Sequence, residues 1–155
     1  MLEFTPLTAD DLPFLIEVRN ECRECLHDDR EFSLAECEQW FHSARPDFHI
    51  IRLQGERIGY FRLSHYDPER GSIYVGADIH KLHRGQGHAT RAYEAFLPLV
   101  RDRYHVSRVE LEVLSHNTAA LGLYRKLGFV ETSRKTGHAV RDGQVVDSIV
   151  MTKSL

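Results

Sequence analysis

Ile79-His80-Lys81-Leu82-His83-Arg84-Gly85-Gln86-Gly87-His88-Ala89-Thr90 is a basic, glycine-bearing turn set between two regular elements. The apolar run Ile73 to Ile79 leads into it, and a helical pattern opens from it near Ala89. A strand–turn–helix passage of this kind leaves several backbone N–H groups unpaired at a helix N-terminus, where the helix dipole favours negative charge. Such a terminus suits an anion such as a pyrophosphate. Gly85 and Gly87 carry no Cβ, so a ligand can approach the main chain closely. The passage predicts a phosphorylated ligand.

Two common phosphate-binding turns do not match. A dinucleotide fingerprint G-x-G-x-x-G would need glycine where Thr90 stands, and no acidic residue follows at the expected distance, a region held by Tyr104 and His105. The P-loop pattern G-x-x-x-x-G-K-[ST] is absent. What remains is Arg84-x-x-Gly87-x-Ala89.

Outward from this turn, period-2 and period-3.6 patterning gives the remaining elements. Leu2 to Leu7 reads as a first strand, with Thr8 as N-cap of a helix carrying Leu12, Leu15 and Ile16. A polar, acidic stretch from Glu21 to Glu31 follows, and Ser33-Leu-Ala-Glu36 is a capping box for a second helix. Phe48–Leu53, Ile58–His65 and Ser72–Ile79 read as strands joined by turns. The helix after the glycine turn runs to about Tyr104, with Pro98 predicting a kink or an early break. Arg108 to Leu114 is a strand, and Asn117 caps a helix closed by Gly128. Val130–His138 and Val145–Met151 form a hairpin around Arg141-Asp-Gly-Gln144. The order β-α-α-β-β-β-α-β-α-β-β predicts an α/β protein, a mixed sheet with helices on both faces.

The chain has 155 residues, enough for one domain over 1–155, and a net charge of −3. That charge, without a polybasic stripe, argues against nucleic acid as a partner. No apolar run is long enough to span a bilayer and no secretory pattern opens the chain, so no membrane partner and a cytoplasmic location are expected. Three cysteines fit a reducing compartment; Cys22-x-x-Cys25 lacks the partners of a zinc site and reads as incidental thiols. His80 and His83 have no H-E-x-x-H frame and read as polar loop residues, so no metal is expected.

The turn becomes specific beside Leu111-Glu-Val-Leu-Ser-His-Asn117-Thr-Ala-Ala-Leu-Gly-Leu-Tyr124-Arg-Lys-Leu-Gly-Phe129. Together the two segments resemble the GNAT superfamily of acetyl-CoA-dependent N-acyltransferases, whose signature is R/Q-x-x-G-x-G/A followed by N-x-x-A-x-x-x-Y-x-x-x-G-F. The resemblance covers nearly the whole chain. It implies a sheet splayed between strands 4 and 5, with acetyl-CoA as co-substrate lying in the gap. It implies that Ala77, Asp78 and Ile79 meet the acetyl-pantetheine arm through their backbone. It assigns Arg84, Gly85, Gln86, Gly87, His88, Ala89 and Thr90 to the pyrophosphate and Asn117 to the arm.

Asn117 and Tyr124 lie two helical turns apart on one face, about 10.5 Å along the axis. The resemblance makes Tyr124 the donor to the departing sulfur, although a tyrosine at helical spacing is also ordinary core. A phenol near pKa ~10 is a weaker acid than a thiol near ~8.5, so complete transfer is uphill by about 2 kcal/mol and hydrogen bonding describes the role better. Attack requires a neutral amine. At pH 7 this costs about 4.6 kcal/mol for an alkyl amine and little more than about 1 kcal/mol for an α-amine. Glu112 is the candidate base, at the position where N-terminal acetyltransferases of the superfamily carry a glutamate; the alternative is a solvated strand carboxylate like Glu110. His49, His65 and Asp78 are lesser candidates.

The acceptor side should comprise the first two helices, their acidic connection and the final hairpin. Val18-Arg19-Asn20 with the Ser33–Phe41 segment looks like the nucleotide-amino-sugar and ribosomal-protein N-terminal branches, and polyamine acetyltransferases share later motifs. The expected partner is a small-molecule or peptide amine, with an amino sugar as the leading example. A non-catalytic acyl-CoA-binding module is the alternative from another class. Dimers are common among proteins of this resemblance, and nothing in the sequence marks a homodimer contact.

Overall fold

A computed structural model describes residues 1–155. Seven strands form one sheet in the order β1-β2-β3-β4-β5-β7-β6. Strands β1 (Leu2–Pro6), β2 (Asp47–Leu53), β3 (Glu56–Asp67) and β4 (Ser72–Ile79) pair antiparallel in succession. The β2–β3 turn places Gln54 and Gly55 at φ 51° and 83°, the left-handed pair that matches strand twist in a two-residue hairpin. Strand β5 (Arg108–Leu114) pairs antiparallel with β7 (Gln144–Ser154), which folds back on β6 (Val130–Arg141) around Asp142 and Gly143.

The parallel β4–β5 contact positions the site. Pairing covers only Ser72↔Arg108, Ile73↔Val109 and Tyr74↔Glu110. Beyond Tyr74 and Glu110 both strands continue, to Ile79 and Leu114, without pairing to each other. The expected splay is therefore present.

Helices α1 (Leu12–Cys22) and α2 (Leu34–Ala44) cover one face, burying Leu12, Leu15, Val18 and Cys37 against Ile50 and Tyr60. Helices α3 (His88–Tyr104) and α4 (Thr118–Lys126) cover the other, where Tyr93, Phe96 and Tyr124 join Phe61, Val75, Leu111 and Ile149 in the larger core. The Ser33 box closes as read: Glu36 N donates to Ser33 Oγ (3.2 Å) and Ser33 N to Glu36 Oε1 (3.1 Å). Thr8 starts a short 3-10 turn, Ala9–Asp11, that runs directly into α1.

Several expectations are corrected. Helix α3 continues through Pro98 to Tyr104. Pro98 and Glu94, whose carbonyl loses its donor, both lie on the exposed side, so water can satisfy the orphaned oxygen. Glu110 is buried, not solvated, and lies 3.2 Å from Arg70 Nη2. His80 is buried rather than a surface loop residue. Its Nδ1 accepts from Leu82 N, which leaves the proton on Nε2, 3.1 Å from Glu17 Oε1. That tautomer ties the end of β4 to α1.

Candidate active site

The turn between β4 and α3 is built by side chains that hold its carbonyls inward. Arg84 Nε donates to Ile79 O (2.9 Å), and its Nη2 to Cys22 Sγ (2.9 Å). Gln86 Nε2 donates to Leu82 O (3.1 Å), and Arg91 Nη2 donates to Gln86 O (3.1 Å). Gly85 and Gly87 adopt φ 72° and 78°. A Cβ on Gly85 would meet nothing, so its glycine answers to backbone conformation; one on Gly87 would also lie 2.9 Å from Arg91 Nη1. The N–H groups of Gly85, Gln86, Gly87, His88, Ala89 and Thr90 bond to no protein acceptor. Six consecutive N–H groups at the N-terminus of α3 are thus left without a protein acceptor, with Lys81, Arg84 and Arg91 nearby in the chain. The side chains of Arg84 and Gln86 brace the turn.

The turn opens onto the gap between β4 and β5. Ala77, Asp78 and Ile79 lie on the unpaired part of β4, with their other edge held by Phe61, Tyr60 and Gly59 of β3. The Ile79 carbonyl already accepts from Arg84. Tyr93 Oη donates to Val75 O (3.2 Å), where the strands have just diverged. Tyr124 packs edge-on against Tyr93 (centroids 5.8 Å apart, planes at 86°) and against Phe129. Burial pushes the Tyr124 phenol above its ordinary pKa, while Tyr93, Arg62 and Asp78 modulate it from the gap. Asn117 caps α4, its Oδ1 accepting from Ala120 N (3.3 Å), and its amide NH2 donates to no protein acceptor.

On the α1–α2 face lies a recess of about 480 Å³. Leu15, Ile16, Leu26, Phe32, Trp40 and Phe48 form its apolar walls, and Tyr60, Arg62 and Asp78 border it from the sheet. Asp78 is buried, with Arg62 Nε 3.1 Å from its Oδ2. Residues Leu26 to Phe32, between α1 and α2, form a strap over this region. Arg141 Nη2 on β6 donates to Leu26 O (3.0 Å) and His27 O (3.2 Å), and its Nη1 lies 3.6 Å from Asp29.

His27 is the site residue the sequence reading missed. Its Nε2 lies 2.7 Å from Ser148 Oγ and 3.3 Å from Glu112 Oε2, and its ring borders the recess. Burial lowers the basicity of the imidazole, only partly offset by Glu112, so the ring is neutral at pH 7. No local motif marks this contact, which joins residues 27 and 112 through the tertiary fold. Its one sequence signal is an imidazole within the acidic connection.

Of the lesser base candidates, His49 and His65 are not brought to the gap, whereas Asp78 lies on its β4 edge. His49 packs against Phe96 in the core on the α3 face, 3.6 Å from Asp47. His65 is exposed near the far end of β3, against Tyr74 and Ser64. Asp78 borders the recess within its pair with Arg62. The acidic connection is largely neutralised: Asp28 pairs with Arg30 and Arg19, Asp29 with Arg141, Glu31 with Arg23, and Glu21 with Lys81. Burial pushes the Cys22 thiol up to about 12, so Cys22-x-x-Cys25 carries no ready thiolate at that position.

A mixed sheet parted between parallel strands, with an anion-suited turn at the opening, defines an acyl-CoA-type α/β architecture. Residues 1–130 match the profile of the Acetyltransferase (GNAT) domain, and the chain belongs to that family. It is 30% identical over 100 residues to N-alpha-acetyltransferase 30 of Schizosaccharomyces pombe, 62% of this chain and 66% of that protein. The chain covers 66%, 55% and 32% of the lengths of three curated relatives it matches. Among solved structures, spermidine N-acetyltransferase from Vibrio cholerae, in complex with CoA and spermine, superposes with a TM-score of 0.91 at 21% identity, covering 99% of this chain and 95% of that one. Ribosomal-protein-alanine N-acetyltransferase from Brucella melitensis superposes at 0.81 with 21% identity, covering 99% of both. These superpositions support the fold.

Proposed function

We propose that this protein is an N-acetyltransferase that moves an acetyl group from acetyl-CoA to a primary amine, by direct attack with both substrates bound. The observation that carries the reading is the run of six free N–H donors, Gly85 to Thr90, at the mouth of the parted strands. Each such bond to a charged oxygen contributes roughly 1.5–3 kcal/mol, so a few reach micromolar affinity, about −8 kcal/mol. Arg84 and Gln86 act by holding the turn open to the diphosphate. The free edge at Ala77 and Asp78 suits the amides of the pantetheine arm, with the Asn117 amide NH2 as a further donor.

Acetyl-CoA supplies the activated acetyl thioester. Tyr124 hydrogen-bonds the departing sulfur. Its raised pKa makes it a poorer acid than a free phenol, so it stabilises developing negative charge without surrendering its proton. The acceptor amine loses its proton to the His27–Glu112 pair. The neutral imidazole can accept at Nδ1, while Ser148 and the Glu112 carboxylate hold Nε2. The acceptor enters from the α1–α2 face and is a small-molecule amine rather than a protein terminus. The fastening of the strap to β6 supports this, since it restricts the flank along which a polypeptide would lie.

Calorimetry with acetyl-CoA, together with free-thiol release across a panel of amines, tests the reading. Micromolar binding with amine-dependent thiol release is the expected result. Binding without release for any amine would leave a non-catalytic acyl-CoA module instead.

A further inference from the structure

The walls and charges of the α1–α2 recess define what can sit beside the transferred acetyl group. Its apolar surface comes from Leu15, Ile16, Leu26, Phe32, Trp40 and Phe48, with Trp40 edge-on to Phe48 (5.3 Å) and Phe48 stacked on Tyr60 (5.7 Å). Every charged side chain on its border already has a partner. Arg62 pairs with Asp78 (3.1 Å) and Arg30 with Asp28 (2.8 Å). Arg19 donates to the carbonyls of Asp28 and Arg30 and covers the Phe32 ring, and Glu36 closes the helix cap with Ser33.

These pairings bear on acceptor chemistry. A polyamine needs carboxylates for its distal ammonium groups; Asp78 is committed in a buried pair, and the other two on the border, Asp28 and Glu36, lie exposed at the rim. A carboxylate-bearing acceptor, or the diphosphate of a nucleotide-linked sugar, needs a free cation, and Arg19, Arg30 and Arg62 are committed. Breaking the pair at buried Asp78 strands a charge, at a cost the ligand must offset, whereas the exposed Arg30–Asp28 pair and Glu36 give way at little cost. An apolar side group asks for none of this. A recess of about 480 Å³ lies within the size range of small-ligand pockets. Resting on the acetyltransferase reading above, we infer that the acceptor is a primary monoamine carrying an aryl or alkyl group, which packs between Ile16, Trp40 and Phe48 while the amine points toward His27. The reaction forms the amide C–N bond and breaks the thioester C–S bond. The amine proton passes to the His27–Glu112 pair and from there to solvent, while CoA leaves as the thiolate, hydrogen-bonded by Tyr124, and takes a proton from solvent to become the thiol.

Trp40 is the chain's single tryptophan, so its fluorescence reports filling of the recess independently of turnover. The experiment titrates the full chain, with acetyl-CoA present, using 2-phenylethylamine, hexylamine, spermidine, glucosamine, a UDP-linked amino sugar and a peptide with a hydrophobic N-terminal residue. Thiol release is followed in parallel. The aryl and alkyl amines should change Trp40 emission saturably and give a kcat/KM at least ~10-fold above every other acceptor, the scale of a well-placed apolar contact. Ile16→Asn, at a half-buried wall position, should raise KM for 2-phenylethylamine ~10-fold or more while acetyl-CoA affinity stays the same. Preference for spermidine, either sugar or the peptide overturns the inference, as does an Ile16→Asn variant with unchanged KM. Saturable Trp40 response to the monoamines without thiol release from any amine would uphold the recess assignment and overturn catalysis. No Trp40 response and no turnover with the monoamines would overturn the assignment itself.

Discussion

At the scale of single residues, Tyr124 and the His27–Glu112 pair divide the two proton-sensitive tasks. Tyr124 is enclosed by Tyr93 and Phe129, so replacing it with phenylalanine keeps the packing and removes only the hydroxyl. Tyr124→Phe should lower kcat by roughly 10–100-fold, the worth of one hydrogen bond to developing charge, with acetyl-CoA affinity within about twofold. A large loss of affinity in calorimetry would make the residue structural. His27 makes a signed prediction. Burial lowers its pKa and Glu112 partly restores it, so the acidic limb of kcat/KM should lie below the unperturbed value of about 6.5. Glu112→Gln removes the restoring charge and should move that limb to lower pH as well as reducing the rate. A limb that stays fixed would exclude coupling between these groups.

Among the elements, the β4–α3 turn carries most of the functional argument. Gly87 at φ 78° is the N-cap of α3, and its N–H is one of the free donors. Gly87→Glu would force a β-carbon into left-handed backbone beside Arg91 and put a carboxylate among groups arranged for phosphate. The backbone strain costs about 1–2 kcal/mol, small beside the stability of a typical domain. The variant should therefore fold, with native circular dichroism, and lose acetyl-CoA binding by at least ~100-fold, from repulsion together with the loss of two or more N–H contacts. Unchanged calorimetric affinity would contradict the assignment of this turn. Its legibility came from local chemistry: the glycines, the preceding apolar run and the following helix all lie within a few positions of one another. Strands β4 and β5 were read at Ser72–Ile79 and Arg108–Leu114, their observed limits, because period-2 patterning is local too. The early break expected at Pro98 does not occur, because its effect depends on which side of the helix faces water, a property set by α3 docking on the sheet.

Across the whole molecule, what escaped the sequence is what the fold joins from distant segments: His27 with Glu112 and Ser148, Glu110 with Arg70, and Arg141 with the strap. None of these pairs has a spacing rule, since each is set by which strands become neighbours. The same long-range contacts shape stability against pH. Burial lowers the pKa values of His27 and His49 below the unfolded value of about 6.5. The unfolded chain then binds more protons than the folded one as pH falls below that value, so these groups remove stability on acidification. Carboxylates act in the same direction in a lower window. Asp11 is buried, yet the Thr8 N–H (2.9 Å) and Arg57 Nε (2.8 Å) overcome that burial and lower its pKa. Arg30 holds Asp28 down at about 2. Folded carboxyl groups with depressed pKa values contribute stability present above about pH 4 and lost as pH falls through their folded values. Thermal unfolding should therefore show a Tm that is level near pH 7–8, declines first below about 6.5, and falls again below about 4. His49→Gln, on the face away from the recess, should flatten the upper decline and leave the lower one in place. A Tm that rises between pH 7 and 5 would reverse the sign assigned to the histidines and exclude their burial as neutral rings.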